Sequence, residues 1–444
     1  MNEPTFRKQL SAPALLSEAR RCFEKIPDNV SNTIPLADHL MSGLALFGFK
    51  YPSLLQFDKD RSSETIQANL RALYGIERAP SDTYFRERLD DLDPRQFRRI
   101  YKCFFSRLQR SKGLEKFSYL DGHYLLSLNG TDHFSSPTVH CEHCGEKHHR
   151  NGTITYCHQM LGAVLIHPDI KEVIPLAPEP ILKQDGQSKN DCERNAAKRL
   201  LKDLRREHPH LKLIVVEDAL ASNAPHIRLL QDLDLRFILG AKPAEHKFLF
   251  DWVENCADTA EYEFTDEQGY HHRFRYLNGA PLNEANSELK VNFLEYWQTS
   301  PEGKVGHFSW VIDIPIDETN LMKLTRGGRA RWKIENETFN TLKNQGYHFE
   351  HNFGHGYKHL ATVLMHLMML AFLIDQIQQL CCHMFQAALA TAQRKSYLWH
   401  KLRSRFDLFQ IASWEALYHS IIHPPSIDLG GDPGQPNEGI SRFT

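Results

Sequence analysis

The chain has 444 residues, 41% of them hydrophobic and 24% charged, with a formal net charge of −2 at pH 7. That length can bury one large core or a few smaller ones, and the balance excludes a disordered or fibrous protein. A net charge near zero excludes a global field announcing a nucleic-acid partner, so local charge must carry any such argument.

The opening, MNEPTFRKQL, has no apolar core of a signal peptide. Residues 1 to 30 read as helical, with a break at Ile26-Pro27-Asp28-Asn29, and an apolar segment follows from Ile34 to Leu55. SSETIQANLRALYGI has a helix start at Ser63/Glu64 and a stop at Gly75. From Arg95 to Lys116 the only acid is Glu115, against Arg95, Arg98, Arg99, Lys102, Arg107, Arg110, Lys112 and Lys116. Tyr101, Phe104 and Phe105 interleave. This is either a solvated amphipathic helix or a helix that tracks phosphate, with Arg98, Arg99 and Lys102 as DNA-binding candidates.

From Phe117 the period changes to strands. HYLLSLNGT (123 to 131) reads as a strand ending in a turn, YCHQMLGAVLIHP as a second, and EVIPLAP as a third. Asp191 to His208 is an amphipathic helix, and LKLIVVEDALA (211 to 221) is an apolar strand buried on both faces, with Asp218 at its end. A further helix and strand, APHIRLLQDLD and LRFILGAK, complete a β-β-β-α-β-α-β order. That order predicts a mixed sheet flanked by helices.

Between the first two strands lies HCEHCGEKHH. Cys141 and Cys144 form a CxxC, with His149 as a third zinc ligand and His140, His143, His148 or Cys157 as a fourth. The alternative is a polar hairpin tip with reduced thiols. His158, on the second strand, is the one other histidine that could approach an acidic cluster. The nine cysteines, odd in number and unevenly spaced, argue for a reducing compartment.

Residues 260 to 315 revert to strands separated by Gly, Asn and Pro turns, an all-β insertion. The helix Arg331 to Lys343, RWKIENETFNTLK, follows. At about 100° per residue, Trp332, Phe339 and Leu342 share a packing stripe. Glu335 falls inside that stripe and Glu337 opposite it. A carboxylate on a packing face needs a partner, either Arg331 one turn before or a metal. LATVLMHLMMLAFLI (360 to 374) is too short and interrupted for a confident membrane span and reads as a buried helix. RKSYLWHKLRSRF (394 to 406) is basic and aromatic, and the last twenty residues, rich in Pro and Gly, read as disordered.

Carboxylates at a strand edge and on a helix facing the sheet are what a two-metal phosphoryl-transfer site needs. Asp218 and Glu335 supply two arms, and the end of the first strand, where Asn129 stands, should supply the third. With these residues in place, the chain resembles the DDE transposases of bacterial insertion sequences, which have an RNase H-like core. The resemblance runs from about Pro80 to Leu380. It rests on NGTDHFSS, KNDCERNAAKR, VVEDALAS, ILGAKP and RARWKIENETFNTLK followed by HNFGHG, in that order.

The resemblance implies that Asp218 is the second acid and Glu335 the third, both holding two Mg²⁺ or Mn²⁺ ions. It implies that Arg331 and Lys343 grip DNA phosphate, with Lys242 of ILGAKP beside them. The family reads Asp-Gly-Thr where this chain reads Asn129-Gly130-Thr131. Asn129 lacks the charge that helps hold two dications, which predicts severe loss of activity. Asp132 could substitute as a Mg²⁺ ligand if the turn brings it inward.

The expected organisation is a helical DNA-binding region (1–115), a first part of the core (116–250), the β insertion (251–318), closing core helices with Glu335 (319–386), and a basic C-terminal helix with a flexible tail (387–444). The expected function is metal-dependent DNA cleavage and strand transfer at insertion-sequence ends. The alternative is an inactive, transposase-derived DNA-binding protein. The expected partners are double-stranded DNA, at element ends and target, and a second copy of the chain on DNA. No membrane is expected, and the expected setting is the bacterial cytoplasm, at the nucleoid.

Overall fold

The computed structural model describes residues 9–28, 33–186 and 188–425. The predicted disorder of the last twenty residues lies outside them, apart from position 425. The chain divides into two compact units. One takes in residues up to Leu114, then Asp132–Gln159, then Phe339 onward; the other is Glu115–Thr131 and Met160–Thr338.

The strands are β1 (Tyr124–Ser136), β2 (Gly145–His148), β3 (Ile154–His167), β4 (Ile170–Pro175), β5 (Glu179–Ile181), β6 (Leu213–Glu217) and β7 (Arg236–Gly240). After them come β8 (Ala260–Thr265), β9 (His271–Pro281), β10 (Lys290–Thr299) and β11 (Val305–Ile312). They form one 11-stranded mixed sheet in the order β2-β3-β1-β6-β7-β11-β10-β9-β8, with β4 and β5 also on β3. β1, β6 and β7 run parallel, and β4 runs antiparallel to β3. The segment β4-β3-β1-β6-β7 has the strand order of an RNase H-like sheet. The mixed α/β expectation therefore holds.

Local sequence explains these elements. In β6, LIVVE, four successive residues are buried, as a central parallel strand requires. In β8, burial alternates residue by residue, as in a strand with one wet face. Phe264, Phe274 and Tyr296 on β8, β9 and β10 stack across strands, with centroids 6.2 and 4.9 Å apart. The strands from 260 to 312 do not stand apart: β11 pairs antiparallel with β7, so they extend the main sheet.

β1 corrects one expectation. NGTDHFSS does not end the strand in a turn but continues it to Ser136. Its polar residues hid a continuing strand because they do not alternate with apolar ones.

The first unit is helical apart from the outer parts of β1 to β3. Its centre is the helix Leu360–Cys381, long and apolar enough to cross a bilayer, but 94% of that apolar window is buried inside the protein. Helix Arg98–Arg110 turns Ile100, Tyr101, Phe104, Phe105 and Leu108 inward. Arg99 and Lys102 are exposed, but Arg98 is only 9% exposed, against the expectation that it meets DNA. On the basic helix Lys395–Leu408, Leu398, Trp399, Leu402 and Phe406 are buried. Phe406 stacks on Phe49 at 3.9 Å.

His366 on the central helix is 2% exposed and stacks on Phe97 at 5.1 Å. Burial, and secondarily the Arg98 charge, push its pKa down to about 3. The folded protein thus keeps it neutral while the unfolded chain takes up a proton near pH 6.5. Stability from this group is complete above that pH, falls as pH drops, and stops falling below about 3. Going from pH 7 to 4.5 should cost roughly 2–3 kcal/mol from His366 alone. Urea titrations across that range should show it, and the slope should shrink in His366→Leu; an unchanged slope would refute the assignment.

Candidate active site

Asn129, Asp218 and Glu335, the three expected catalytic positions, belong to one unit. β1 pairs in parallel with β6 from Tyr124↔Leu213 to Ser127↔Val216. Carried two residues on, the same register sets Asn129 level with Asp218. Asp218 is exposed just past β6, and one carboxylate oxygen accepts the Leu220 N–H at 3.0 Å. Its neighbour Glu217 is engaged with His226 at 2.7 Å, which leaves Asp218 as the outward acid.

Glu335 arrives from the other direction. The helix Leu321–Arg329 runs through a 3₁₀ turn, Ala330–Trp332, into a π-helical turn, Ile334–Phe339, and then the helix Asn340–Asn344. The predicted regular helix over 331–343 is therefore broken at the acid, and π turns often mark functional positions. The wider turn also changes which residues face inward. Ile334, Phe339 and Leu342 are buried, whereas Trp332 is 43% exposed, not on the packing stripe. The helix enters close to the sheet because Gly327 and Gly328 are buried. A Cβ on Gly328 would come within 2.5 Å of Trp310 Nε1.

At the meeting point, Asn129 Nδ2 donates to Glu335 Oε1 at 3.0 Å. Arg331 donates to the same oxygen at 2.8 Å. The Asn129 side-chain oxygen Oδ1 accepts the Gly130 N–H at 3.0 Å. Ser127 Oγ donates to the Arg331 carbonyl at 3.3 Å, which seats this helix on β1. Arg331 thus fulfils the ion-pair expectation, with Asn129 as a second partner.

A further carboxylate enters from the helix Lys189–Glu207. Glu193 reaches over Gly130, so that a Cβ there would lie 3.0 Å from its carboxyl carbon. Residue type alone did not single out Glu193. The signal was its place in KNDCERNAAKR, a motif that also carries several other charged residues.

Asp218 and Arg331 line a cleft of about 460 Å³, along with Lys242, His307, Arg329 and Trp332. Lys242 is largely exposed, 3.8 Å from Glu245. The cleft therefore combines two carboxylates, Asp218 and the His226-bonded Glu217, with three cations and an exposed indole. Such a set suits a phosphate backbone flanked by a base that can stack.

Asp218, Glu335 and Glu193 each offer hard oxygens of the kind Mg²⁺ or Mn²⁺ takes, but among the described residues they are not a group whose ligand atoms all lie within 4.8 Å of one another. Asn129 is not their equivalent. Its oxygen is occupied by the Gly130 N–H and its amide nitrogen faces Glu335. A nitrogen bearing two protons stands where a charged ligand would be needed.

Other predicted positions lie in the other unit. Lys343 pairs with Glu350 at 2.8 Å. Asp132 is engaged on both oxygens, by Lys147 and by Gln159 Nε2 at 2.6 Å. As a substitute metal ligand it would first have to surrender these partners. His149 bonds to Thr155 Oγ1 at 2.8 Å and does not join the thiols. Cys141 and Cys144 instead meet His158 and His355. His158 is therefore a neighbour of thiols, not of the acids.

No model of a known protein family matches the chain, and no curated protein matches it. Among solved structures it is similar to a cryo-EM structure of the piggyBac transposase synaptic complex with hairpin DNA. The match covers 97% of this chain and 87% of that one, at 11% identity and a TM-score of 0.39. A likeness of that depth defines neither a family nor a reaction.

Proposed function

We propose that this chain is a transposase of the insertion-sequence type, built to cleave DNA at element ends and join the freed 3′ end to target DNA. The observation that carries the reading is the contact of Asn129 and Arg331 with Glu335, with Asn129 level with Asp218 in the β1–β6 register and Glu193 over Gly130. Asp218 and Glu335, with Glu193 beside them, would hold Mg²⁺ or Mn²⁺. When bound, the metal would supply Lewis-acid stabilisation of charge on the scissile phosphate. Arg331, Arg329 and Lys242 would bind and orient the phosphate backbone, and Trp332 would stack on an unpaired base. The chain would act as a dimer on two ends in a bacterial cytoplasm, with exposed Arg99 and Lys102 as further backbone contacts.

A second reading is favoured by one contact. The Asn129 amide donates to Glu335, which satisfies that acid without a metal. This supports a chain that binds element ends and cuts them weakly or not at all.

The test is binding and cleavage by the full chain on DNA carrying the termini that flank its own gene, with random DNA alongside. Specific retention of the terminal DNA is expected for the chain as it stands and for Glu335→Gln. Any Mg²⁺- or Mn²⁺-dependent cutting should fall on the order of 10³-fold in Glu335→Gln. Equal binding of both DNAs would refute the function. Cutting indifferent to Glu335→Gln would refute the site. Cutting without joined products would indicate a nuclease instead.

A further inference from the structure

The first unit holds a second cluster that the DNA chemistry does not use. Cys141 and Cys144 stand on the turn before β2, His158 on β3, and His355 on the loop before the helix Leu360–Cys381. One ligand atom from each lies within 4.8 Å of all the others. We propose that these four side chains bind one structural Zn²⁺.

The distances support a tetrahedron. Zn–S bonds of about 2.3 Å and Zn–N bonds of about 2.0–2.1 Å imply edges of about 3.8 Å between sulfurs, about 3.5 Å between sulfur and nitrogen, and about 3.3 Å between nitrogens. The two sulfurs are 3.9 Å apart. Cys141 Sγ is 3.5 Å from His158 Nε2, and Cys144 Sγ is 3.4 Å from His355 Nε2. The two Nε2 atoms are 3.2 Å apart. Four edges of the tetrahedron thus agree with the metal's own dimensions.

The outer contacts agree as well. His355 Nδ1 is 2.6 Å from the Gly356 carbonyl, which places a proton on Nδ1 and leaves the Nε2 lone pair facing the centre. The His143 backbone N–H bonds to Cys141 Sγ, and the Cys144 N–H to the Cys141 carbonyl at 3.2 Å, a tight turn that aims both sulfurs at one point. Cys144, His158 and His355 are 1, 5 and 9% exposed. Phe134 packs on both imidazoles, at 5.8 and 4.7 Å. Lone pairs converging in an apolar shell are unfavourable unless a cation sits between them. Two thiolates and two imidazoles in a tetrahedral set are the donors of a structural Zn²⁺ site.

Four protein ligands leave no open position, so the ion is structural rather than catalytic. It would staple the loop carrying His355 to the β2–β3 hairpin. The residues just after His355 are fixed separately. Asp90 accepts backbone N–H bonds from Tyr357, Lys358, His359 and Leu360, at 2.8 to 3.0 Å. The zinc site thus secures one end of a segment whose other end starts the central helix of the unit.

The test is elemental analysis of the full chain after exhaustive dialysis, with cobalt substitution. One zinc per chain is expected, falling at least tenfold in Cys141→Ser and in His355→Gln and unchanged in His149→Asn. Cobalt added to metal-stripped protein should give the intense visible bands of a tetrahedral ion and a thiolate charge-transfer band. Should the variants fail to fold, the cobalt spectrum of the unaltered chain still decides. Full zinc retention in both variants, loss in His149→Asn, or a weak octahedral cobalt spectrum without thiolate bands would overturn the proposal.

Discussion

Asn129→Asp should convert the chain into a metal-dependent DNA-cutting enzyme, with cleavage at element ends rising on the order of 10²-fold or more. Asn129 and Glu335 touch through an amide N–H, 3.0 Å from Oε1. That contact suits a site with no metal ion, because the amide N–H and the Arg331 guanidinium together satisfy Oε1 of the acid. A carboxylate in its place would face Glu335 with like charge. Two carboxylates so close repel, and Arg331, already bonded to Glu335 Oε1 at 2.8 Å, offsets only one of the two charges, which leaves the second for a metal ion. The substitution should therefore lower thermal stability in chelator and restore it in Mg²⁺. Neither response is expected of the unaltered chain to the same degree. Melting curves with and without Mg²⁺, run beside the cleavage assay, separate the two effects. If Asn129→Asp neither gains cleavage nor becomes more sensitive to Mg²⁺, the β1–β6 edge is not a metal site.

The residues that carry this prediction were legible in the sequence because each is an exception to its surroundings. Asp218 follows directly on an apolar strand and Glu217, and Glu335 reads as an acid inside an apolar stripe if the helix is regular, although the structure leaves its side chain 46% exposed. The strand order was legible for a similar reason: a two-sided buried strand such as β6 reads as continuous hydrophobicity. What escaped was set by distance along the chain. The π turn at Ile334–Phe339 has no signature in a periodicity that assumes regular helix, so Trp332 was assigned inward when it faces the cleft.

His355 lies 211 positions from Cys144, and no local spacing rule connects them. His149, nearer in sequence, looked like the better ligand, but β2–β3 pairing sets His158 rather than His149 beside the thiols. Arg98 shows the limit of charge counting. A basic run winds around a helix, so part of it must face the core, and Arg98 is on that side.

Glu193 bears on the second large effect, which is best measured in the Asn129→Asp background, where activity is there to lose. Asp218→Asn should abolish most of it, a fall on the order of 10³-fold, because a neutral amide replaces the outward carboxylate proposed to bind the metal. Affinity for terminal DNA should hold, since Lys242, Arg329 and Arg331 still line the cleft.

Glu193→Gln should behave differently. Its carboxylate lies over Gly130, next to position 129, so it shapes the field there and need not bind the ion directly. Loss of such a neighbour typically costs about 10–100-fold. The pair of variants thus ranks the acids. A larger loss for Asp218→Asn than for Glu193→Gln supports Asp218 as the ligand and Glu193 as its neighbour. Equal losses would make Glu193 a direct ligand, and the site would then have its full charge complement even with asparagine at 129. Parent-like activity in Glu193→Gln would remove it from the site altogether.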